Sequence, residues 1–371
     1  MRSGTFLVGT HRGRATAETR ATVPRGAAPS GPPASNNTRE ETMDQLRDTR
    51  LSRRAALGAL GAAAALPFAS GAAEAAAPIT GIRSPDWYRF KIGAFEATVI
   101  QDGPLALGEP SGGFPQHPRD DLTNLLRSNF MPTNTLTLDQ NCLLLNTGRQ
   151  LVLFDNGVGV TRPFGANTGL LLANLRAAGV HPDQVDALVI SHAHIDHCWG
   201  IIGADGKPNF PNAQVFMSKA DFDFWTAEER INAQGWLGDF VKGARRNLMP
   251  VRERISFVED GKEVLPGVVA VAAPGHTIGH TVYAIQSGNS RAMFIGDLAH
   301  HQVIMLRRPQ IEFAFDTDPK LSAQSRMRIL RMLAQERMPL VAYHFAFPGL
   351  GHVAAEGEGF GWYPAPWGTD L

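Results

Sequence analysis

The chain has 371 residues, of which 43% are hydrophobic and 19% charged, the proportions of a globular protein with enough apolar surface for a sizeable core. Lysine plus arginine and aspartate plus glutamate each number 35, so no net field favours nucleic acid or an anionic membrane surface. The only cysteines are Cys142 and Cys198, which excludes a disulfide framework.

Residues 1–42 are rich in Arg, Thr, Ala, Gly, Pro and Ser without helical or strand periodicity, which predicts disorder. Residues 43–77 differ. A charged run to Arg54, an apolar run from Ala55 to Phe68 and small residues around Ala73-Glu74-Ala75 form the pattern of an export signal. The apolar run is too short to span a membrane. Ser52-Arg53-Arg54 resembles a twin-arginine signal, which implies export of a folded, often cofactor-loaded protein to the periplasm or the medium. Met43 is therefore the expected true start, and a peptide from before it in protein made at the native locus would overturn that expectation.

A single catalytic domain is expected over residues 78–371. Phe90–Ile100 alternates as a strand, and Asp102-Gly103 marks a turn. Leu143–Phe154 reads as a hairpin turning at Thr147-Gly148 and ending in Asp155-Asn156-Gly157. Leu170, Leu171, Leu175 and Ala178 share one face of a helix that Gly179 would cap. Asp186–Ile190 reads as a short buried strand, and Ser191-His192-Ala193-His194-Ile195-Asp196-His197 follows it, with His192, His194, Asp196 and His197 on the loop leaving the strand. A lone histidine is more often a hydrogen-bonded structural residue. Three with an aspartate at this spacing point instead to a metal site, and nine of the 12 histidines follow Ile190 in four short clusters.

Gln214–Met217 is another strand, and residues 219–249 read as helical with many aromatics. Val268–Ala272 and Thr281–Ile285 flank Pro274-Gly275-His276-Thr277-Ile278-Gly279-His280; Ala292–Ile295 leads into Gly296-Asp297 and then His300-His301. Asp318-Pro319 opens a helix to about Arg337, and Leu340–Ala342 leads into Tyr343-His344. A hydrolytic metal centre needs donors that are deprotonated at neutral pH, which imidazoles and carboxylates provide without the redox liability of thiolates. His192 and His194 suit one ion, Asp196 and His197 a second, and Asp297 has two oxygens with which to bridge. Two such ions would hold a bridging hydroxide, since metal binding lowers the pKa of water to about 7.

His192-Ala-His194-Ile-Asp196-His197, Gly275-His276, Gly296-Asp297 and His344 together resemble the binuclear motif of the metallo-β-lactamase-fold hydrolases. Phe95-Glu96 with Asp102-Gly103, Gly279-His-Thr281, Asp316 with Asp318, and the run from His344 to His352 resemble its methyl parathion hydrolase branch. The resemblance implies an α+β fold, a four-layer αββα sandwich with the metals at one edge of the paired sheets. It implies one ion on His192, His194 and His276, a second on Asp196, His197 and His344, and Asp297 bridging. His352 competes with His344 for the last place; His344 is preferred because it directly follows a strand. Zn2+ is the expected metal, with Mn2+, Fe2+ and Co2+ compatible with the same donors, and a homodimer is suggested by resemblance alone.

None of the departures from the family pattern removes a ligand. Asp155-Asn156-Gly157 stands where relatives commonly have Asp-Thr-Gly, Trp199-Gly200 where a glycine pair is usual, and Ile278 where proline is common. Cys198 has three open readings: a free thiol near the metals, a disulfide partner of Cys142, or a small buried residue. Acyl-homoserine-lactone lactonases of this superfamily carry a tyrosine three residues past the bridging Asp; this chain has His300, which would protonate a leaving alkoxide or hold an oxyanion, or else orient a ligand. Trp225, Trp236 and Phe240 are expected either to line an apolar substrate pocket or to pack a helical core. The expected reaction is attack of the bridging hydroxide on a phosphotriester, lactone or aryl ester. Two alternatives stay open: a secreted metallo-β-lactamase, against which Asp297 argues, and a mononuclear iron oxidoreductase of the persulfide dioxygenase kind.

Overall fold

The computed structural model describes residues 85–368 and residue 370, all within the second of the chain's two compact units, residues 81–371. The expected disordered stretch and export signal lie outside the described residues. In chain order the strands of the first half are β1 (Trp87–Ile92), β2 (Phe95–Gln101), the short β3 (Leu105–Ala106) and β4 (Thr137–Leu138), β5 (Asn141–Asn146), β6 (Leu151–Phe154), β7 (Ala187–Val189), β8 (Gln214–Ser218) and β9 (Ile255–Val258). Those of the second half are β10 (Glu263–Leu265), β11 (Val268–Ala272), β12 (Thr281–Ser287), β13 (Ser290–Phe294), β14 (Leu340–Val341), β15 (Leu350–Glu356) and β16 (Gly359–Pro364). The longer helices are α1 (Arg119–Ser128), α2 (Leu171–Ala177), α3 (Lys219–Thr226), α4 (Trp236–Leu248) and α5 (Pro319–Glu336).

Two sheets of seven strands result, β1-β2-β5-β6-β7-β8-β9 and β10-β11-β12-β13-β14-β15-β16, with β3 and β4 forming a separate ribbon. The strand period of two explains the layers. Tyr283 and Phe294 point into one core together with Leu143 and Phe154 of the first sheet. Their neighbours Val282 and Met293 point the other way, into a second core with Ile329, Leu330 and Leu333 of α5. Phe154 meets Tyr283 at 5.7 Å and Phe294 at 5.4 Å between ring centroids, joining the sheets. Leu171 and Leu175 of α2 and Val241, Ala244 and Leu248 of α4 extend the first core. This is the expected α+β sandwich. Among the described residues no helix is long and apolar enough to cross a membrane.

Two expectations need correction. Phe90–Ile100 is not one strand but a hairpin: Ile92 pairs with Phe95, and Gly93 turns the chain at φ 58°, a left-handed conformation that glycine adopts without steric cost. The helical stretch 219–249 is two helices, α3 and α4, because Ala227 is extended and Gly235 has φ 69°. The Thr147-Gly148 hairpin, the Gly179 helix end and the Asp318-Pro319 helix start are as expected. Asp318 caps α5 by accepting the Leu321 N–H at 3.0 Å.

Candidate metal centre

The predicted ligands converge from four places. β7 delivers His192 and His194 on its exit loop, and Asp196 and His197 on the single helical turn Ile195–Cys198. The β11–β12 connection carries His276, while the parallel strands β13 and β14 end just before Asp297 and His344. Three buried polar groups of other elements fix the geometry of these segments. Tyr283 donates its hydroxyl to the Ile190 carbonyl at 2.9 Å and Tyr343 to the Asp196 carbonyl at 2.5 Å. Asn141 donates to the carbonyls of Ala342 at 3.0 Å and Phe345 at 2.8 Å on either side of His344.

His192, His194 and His276 form one donor group and Asp196, His197 and His344 another, with the donor atoms of each within 4.8 Å of one another. Asp297 lies between them. Its Oδ2 is 3.6 Å from His192 Nε2, 3.2 Å from His276 Nε2 and 3.2 Å from His344 Nε2, and its Oδ1 is 3.1 Å from His197 Nε2. His280 accepts the Asp297 N–H on Nε2 at 3.0 Å while its Nδ1 faces the Ala273 carbonyl at 3.1 Å.

The outer nitrogens explain why this set fits cations. Nδ1 of His197 lies 2.7 Å from Asp155, that of His276 2.8 Å from Asp316, and that of His344 2.8 Å from the Asp139 carbonyl. Acceptors outside place the proton on Nδ1 and leave Nε2 as an inward lone pair, an assignment made from the hydrogen-bond network. Inward, the Nε2 atoms of His192 and His276 face each other at 3.1 Å. His194 Nε2, His197 Nε2 and Asp297 Oδ1 make no hydrogen bond despite full burial. Acceptors packed this closely repel one another unless positive charge lies among them. The electrostatics of the cluster favour positive charge at this place. Burial pulls His276 down, but hydrogen bonds to Asp297 and Asp316 outweigh it and push it up to about 9. Burial alone would raise Asp297, yet the surrounding His197, His344, His300 and His192 hold it well below the usual carboxylate range.

A cavity of about 240 Å3 opens onto His194, Asp196, His276, Asp297, His300 and His344. Of the three aromatics expected there, only Phe240 lines it. Trp225 and Trp236 are not part of the wall: Trp225 is 0% exposed and, like Trp236, meets His194 edge-on, at 4.8 Å and 6.0 Å respectively. They pack behind the ligand because α3 and α4 lie against each other on that side. Phe313 and Phe315, from the segment before α5, form the wall instead, and no periodicity marked them. His300 stacks on Phe313 at 3.8 Å with Nε2 3.0 Å from Asp297 Oδ2. His301 turns away and accepts the N–H groups of Val303 and Ile304 on Nδ1, both at 3.1 Å. His352 lies on β15, outside both donor groups. Cys142 and Cys198 are free and buried, which removes the disulfide reading.

The sequence marked Asp102 only as a turn and motif residue and Asp155 only as the end of a hairpin in a family motif, and nothing in it marked Asp221 or Arg326. Asp155 directly follows β6 and binds His197 and both Ser191 N and Oγ. Arg326 of α5 is fully buried and donates to the carbonyls of Leu298, Pro309 and Ile311 at 2.8–2.9 Å, tying down the segment that carries His300 and Phe313. The local signals were the Asp102-Gly103 turn and the place of Asp155 directly after a strand.

The metallo-beta-lactamase superfamily profile matches residues 136–344. An N-acyl homoserine lactonase of Bacillus cereus is 23% identical over 236 residues, covering 59% of this chain and 85% of its own length. One of Bacillus thuringiensis is 22% identical over 235 residues, with coverage of 59% and 85%. AidC, a dizinc quorum-quenching lactonase solved in complex with a product, superposes with a TM-score of 0.72 at 30% identity over 76% of this chain and 98% of its own. The hydrolase AbOPH of the beta lactamase superfamily superposes with a TM-score of 0.71 at 27% identity, over 77% of this chain and all of its own. The chain belongs to the metallo-β-lactamase superfamily, as a metal-dependent hydrolase whose clustered histidines and aspartates form a site for two divalent ions.

Proposed function

We propose that the chain hydrolyses a neutral, largely apolar lactone or ester, with aryl esters and phosphotriesters within reach of the same site. The observation that carries this reading is the cavity wall. Apart from the donor cluster and His300 it is made of leucine, isoleucine, proline and phenylalanine, and among the described residues lining it none is lysine or arginine. A carboxylate-bearing substrate such as a β-lactam would find no lysine or arginine in that wall to pair with, which, with Asp297 in the donor cluster, disfavours the β-lactamase alternative. The similarity to lactonases, AidC among them, supports the lactone in particular. The motifs would place the chain in the methyl parathion hydrolase branch, and the export signal would place the activity in the periplasm or outside the cell.

In this reading His192, His194 and His276 hold one ion, Asp196, His197 and His344 the other, and Asp297 both. Two divalent ions, zinc by preference, would polarise the carbonyl or phosphoryl oxygen and supply hydroxide at neutral pH. Asp155, Asp316 and the Asp139 carbonyl hold three imidazoles in the tautomer that presents Nε2 inward. His300, whose Nε2 lies 3.0 Å from Asp297 Oδ2 at the floor of the cavity, offers an N–H to the leaving oxygen or the developing oxyanion. Phe240, Phe313 and Phe315 keep water from the apolar part of the substrate.

Metal analysis followed by a panel of lactones, aryl esters, a paraoxon-like triester and a cephalosporin tests the reading. Two ions per chain are expected, with lactone or ester turnover lost on chelation and restored by zinc. Failure of any divalent metal to restore activity, or a cephalosporin turned over faster than every lactone and ester, would overturn it. A single bound iron would instead favour the persulfide dioxygenase-like alternative.

A further inference from the structure

Asp221 belongs to neither donor group. It lies in the first turn of α3, is 0% exposed, and its carboxylate spans two segments of chain. Oδ2 accepts the Ala193 N–H at 2.7 Å, and Oδ1 accepts the Gly279 N–H at 2.6 Å. Ala193 stands between His192 and His194, and Gly279 follows His276 by three residues. One carboxylate thus ties together the backbones that present all three members of the first donor group. The other group is held by different partners: Asp155 on His197, Tyr343 on the Asp196 carbonyl, and the Asp139 carbonyl on His344.

The contact is close. A Cβ at Gly279 would lie 2.6 Å from the Asp221 nitrogen and 2.4 Å from Ser218 Oγ, so only glycine lets the His276 loop press against the start of α3. Ser218-Lys219-Ala220-Asp221 has the spacing of a capping box, yet Ser218 makes no side-chain cap bond and the Asp221 carboxylate serves the two loops. Charge-assisted bonds to backbone N–H groups are among the stronger ones and fix distance as well as contributing energy.

We propose that Asp221 is a positioning residue that sets the separation between the His192–His194 loop and His276, and thereby the affinity for the ion on that side only. The proposal rests on the two-ion reading above. It predicts an asymmetry that general destabilisation would not produce.

The test uses the full chain and two independent variants, Asp221→Asn, which keeps the side-chain volume but turns a donor toward one of the two N–H groups, and Gly279→Ala, which pushes the loop away. Zinc per chain is measured by elemental analysis after dialysis against graded chelator, and cobalt-substituted protein is followed by its absorption spectrum. In each variant one ion is expected to leave at a chelator concentration about 10–100-fold lower than in the parent, the range seen when partners of metal ligands are lost, while the second leaves where it does in the parent. Retention of both ions as in the parent, or parallel loss of both, overturns the proposal. A parent chain that never holds two ions overturns the two-ion reading and this inference with it, so the two failures are read from different proteins.

Discussion

Asp102 provides a test of the fold that stands apart from the metal ligands. Its carboxylate, 1% exposed, accepts the N–H groups of Val158 at 2.9 Å, Gly169 at 3.2 Å and Leu171 at 2.8 Å. The chain wraps it closely, since a Cβ at Gly157 would lie 2.3 Å from Asp102 Cγ. Asp102→Ala leaves these donors without an acceptor. An unsatisfied buried donor costs about 1–3 kcal/mol; the partly buried Gly169 can turn to water, so two full penalties set the expected loss at about 2–6 kcal/mol. Burial raises the Asp102 carboxyl from 3.8 to about 7, against the lowering effect of the three N–H groups. With the folded value above the unfolded one, the native chain keeps a proton that the unfolded chain releases. The parent's stability from this group therefore falls as pH rises from about 4 to about 7 and is level above that. Alanine does not titrate, so the gap between parent and variant should be widest near pH 4 and narrow toward pH 7. Urea unfolding of the two proteins side by side at several pH values reads both effects, and other titrations cancel in the difference. A variant within about 0.5 kcal/mol of the parent near pH 4, which is the usual scatter of surface substitutions, or a gap constant over that window, refutes the reasoning.

Asp316→Asn should weaken metal binding about 10–100-fold, because Asp316 holds His276 Nδ1 at 2.8 Å and lies 3.8 Å from the buried Arg326; chelator competition reads it, and an unchanged affinity contradicts the role. His300→Ala should keep its metal content and lose about 10²–10⁴ in kcat; if turnover and metal content both stay at parental values, His300 has no catalytic role. Phe240→Ala should raise KM for long-chain substrates more than for short ones, and an effect independent of chain length would remove Phe240 from the substrate wall. Gly200→Ala should sharply lower the yield of folded protein, since its Cβ would sit 1.8 Å from the Asn156 carbonyl oxygen; normal yield and melting temperature would contradict this.

Much of the first sheet was legible because its signals are local. The run from Leu143 to Phe154 with Thr147-Gly148 inside it shows both the strands and their turn, and Asp318-Pro319 announces its helix by cap chemistry. Gly93 was overlooked because the alternation of Phe90–Ile100 continues across the two-residue turn, and period alone does not distinguish a bent ribbon from a straight strand. α3 and α4 read as one helix because their apolar residues run on through the break. β15 and β16 escaped notice since glycines and alanines interrupt their pattern. The two readings of Trp225, Trp236 and Phe240 stayed open for a related reason: helical aromatics are equally suited to a core and to a pocket, and only packing separates the two.

The sequence by itself determined the chemical types of the donors and their positions at strand ends, because a histidine or aspartate beside a short apolar run is a fact of neighbouring residues. Tertiary structure decided which donors share a group, which nitrogen of each ring faces inward, and what surrounds them. Those depend on the parallel pairing of β13 with β14, on sheets meeting through Phe154, Tyr283 and Phe294, and on distant partners such as Asp155, Asp221 and Asp316. A carboxylate can serve as helix cap, surface charge or clamp, and its role follows from the unpaired N–H groups that folding brings within 3 Å of it.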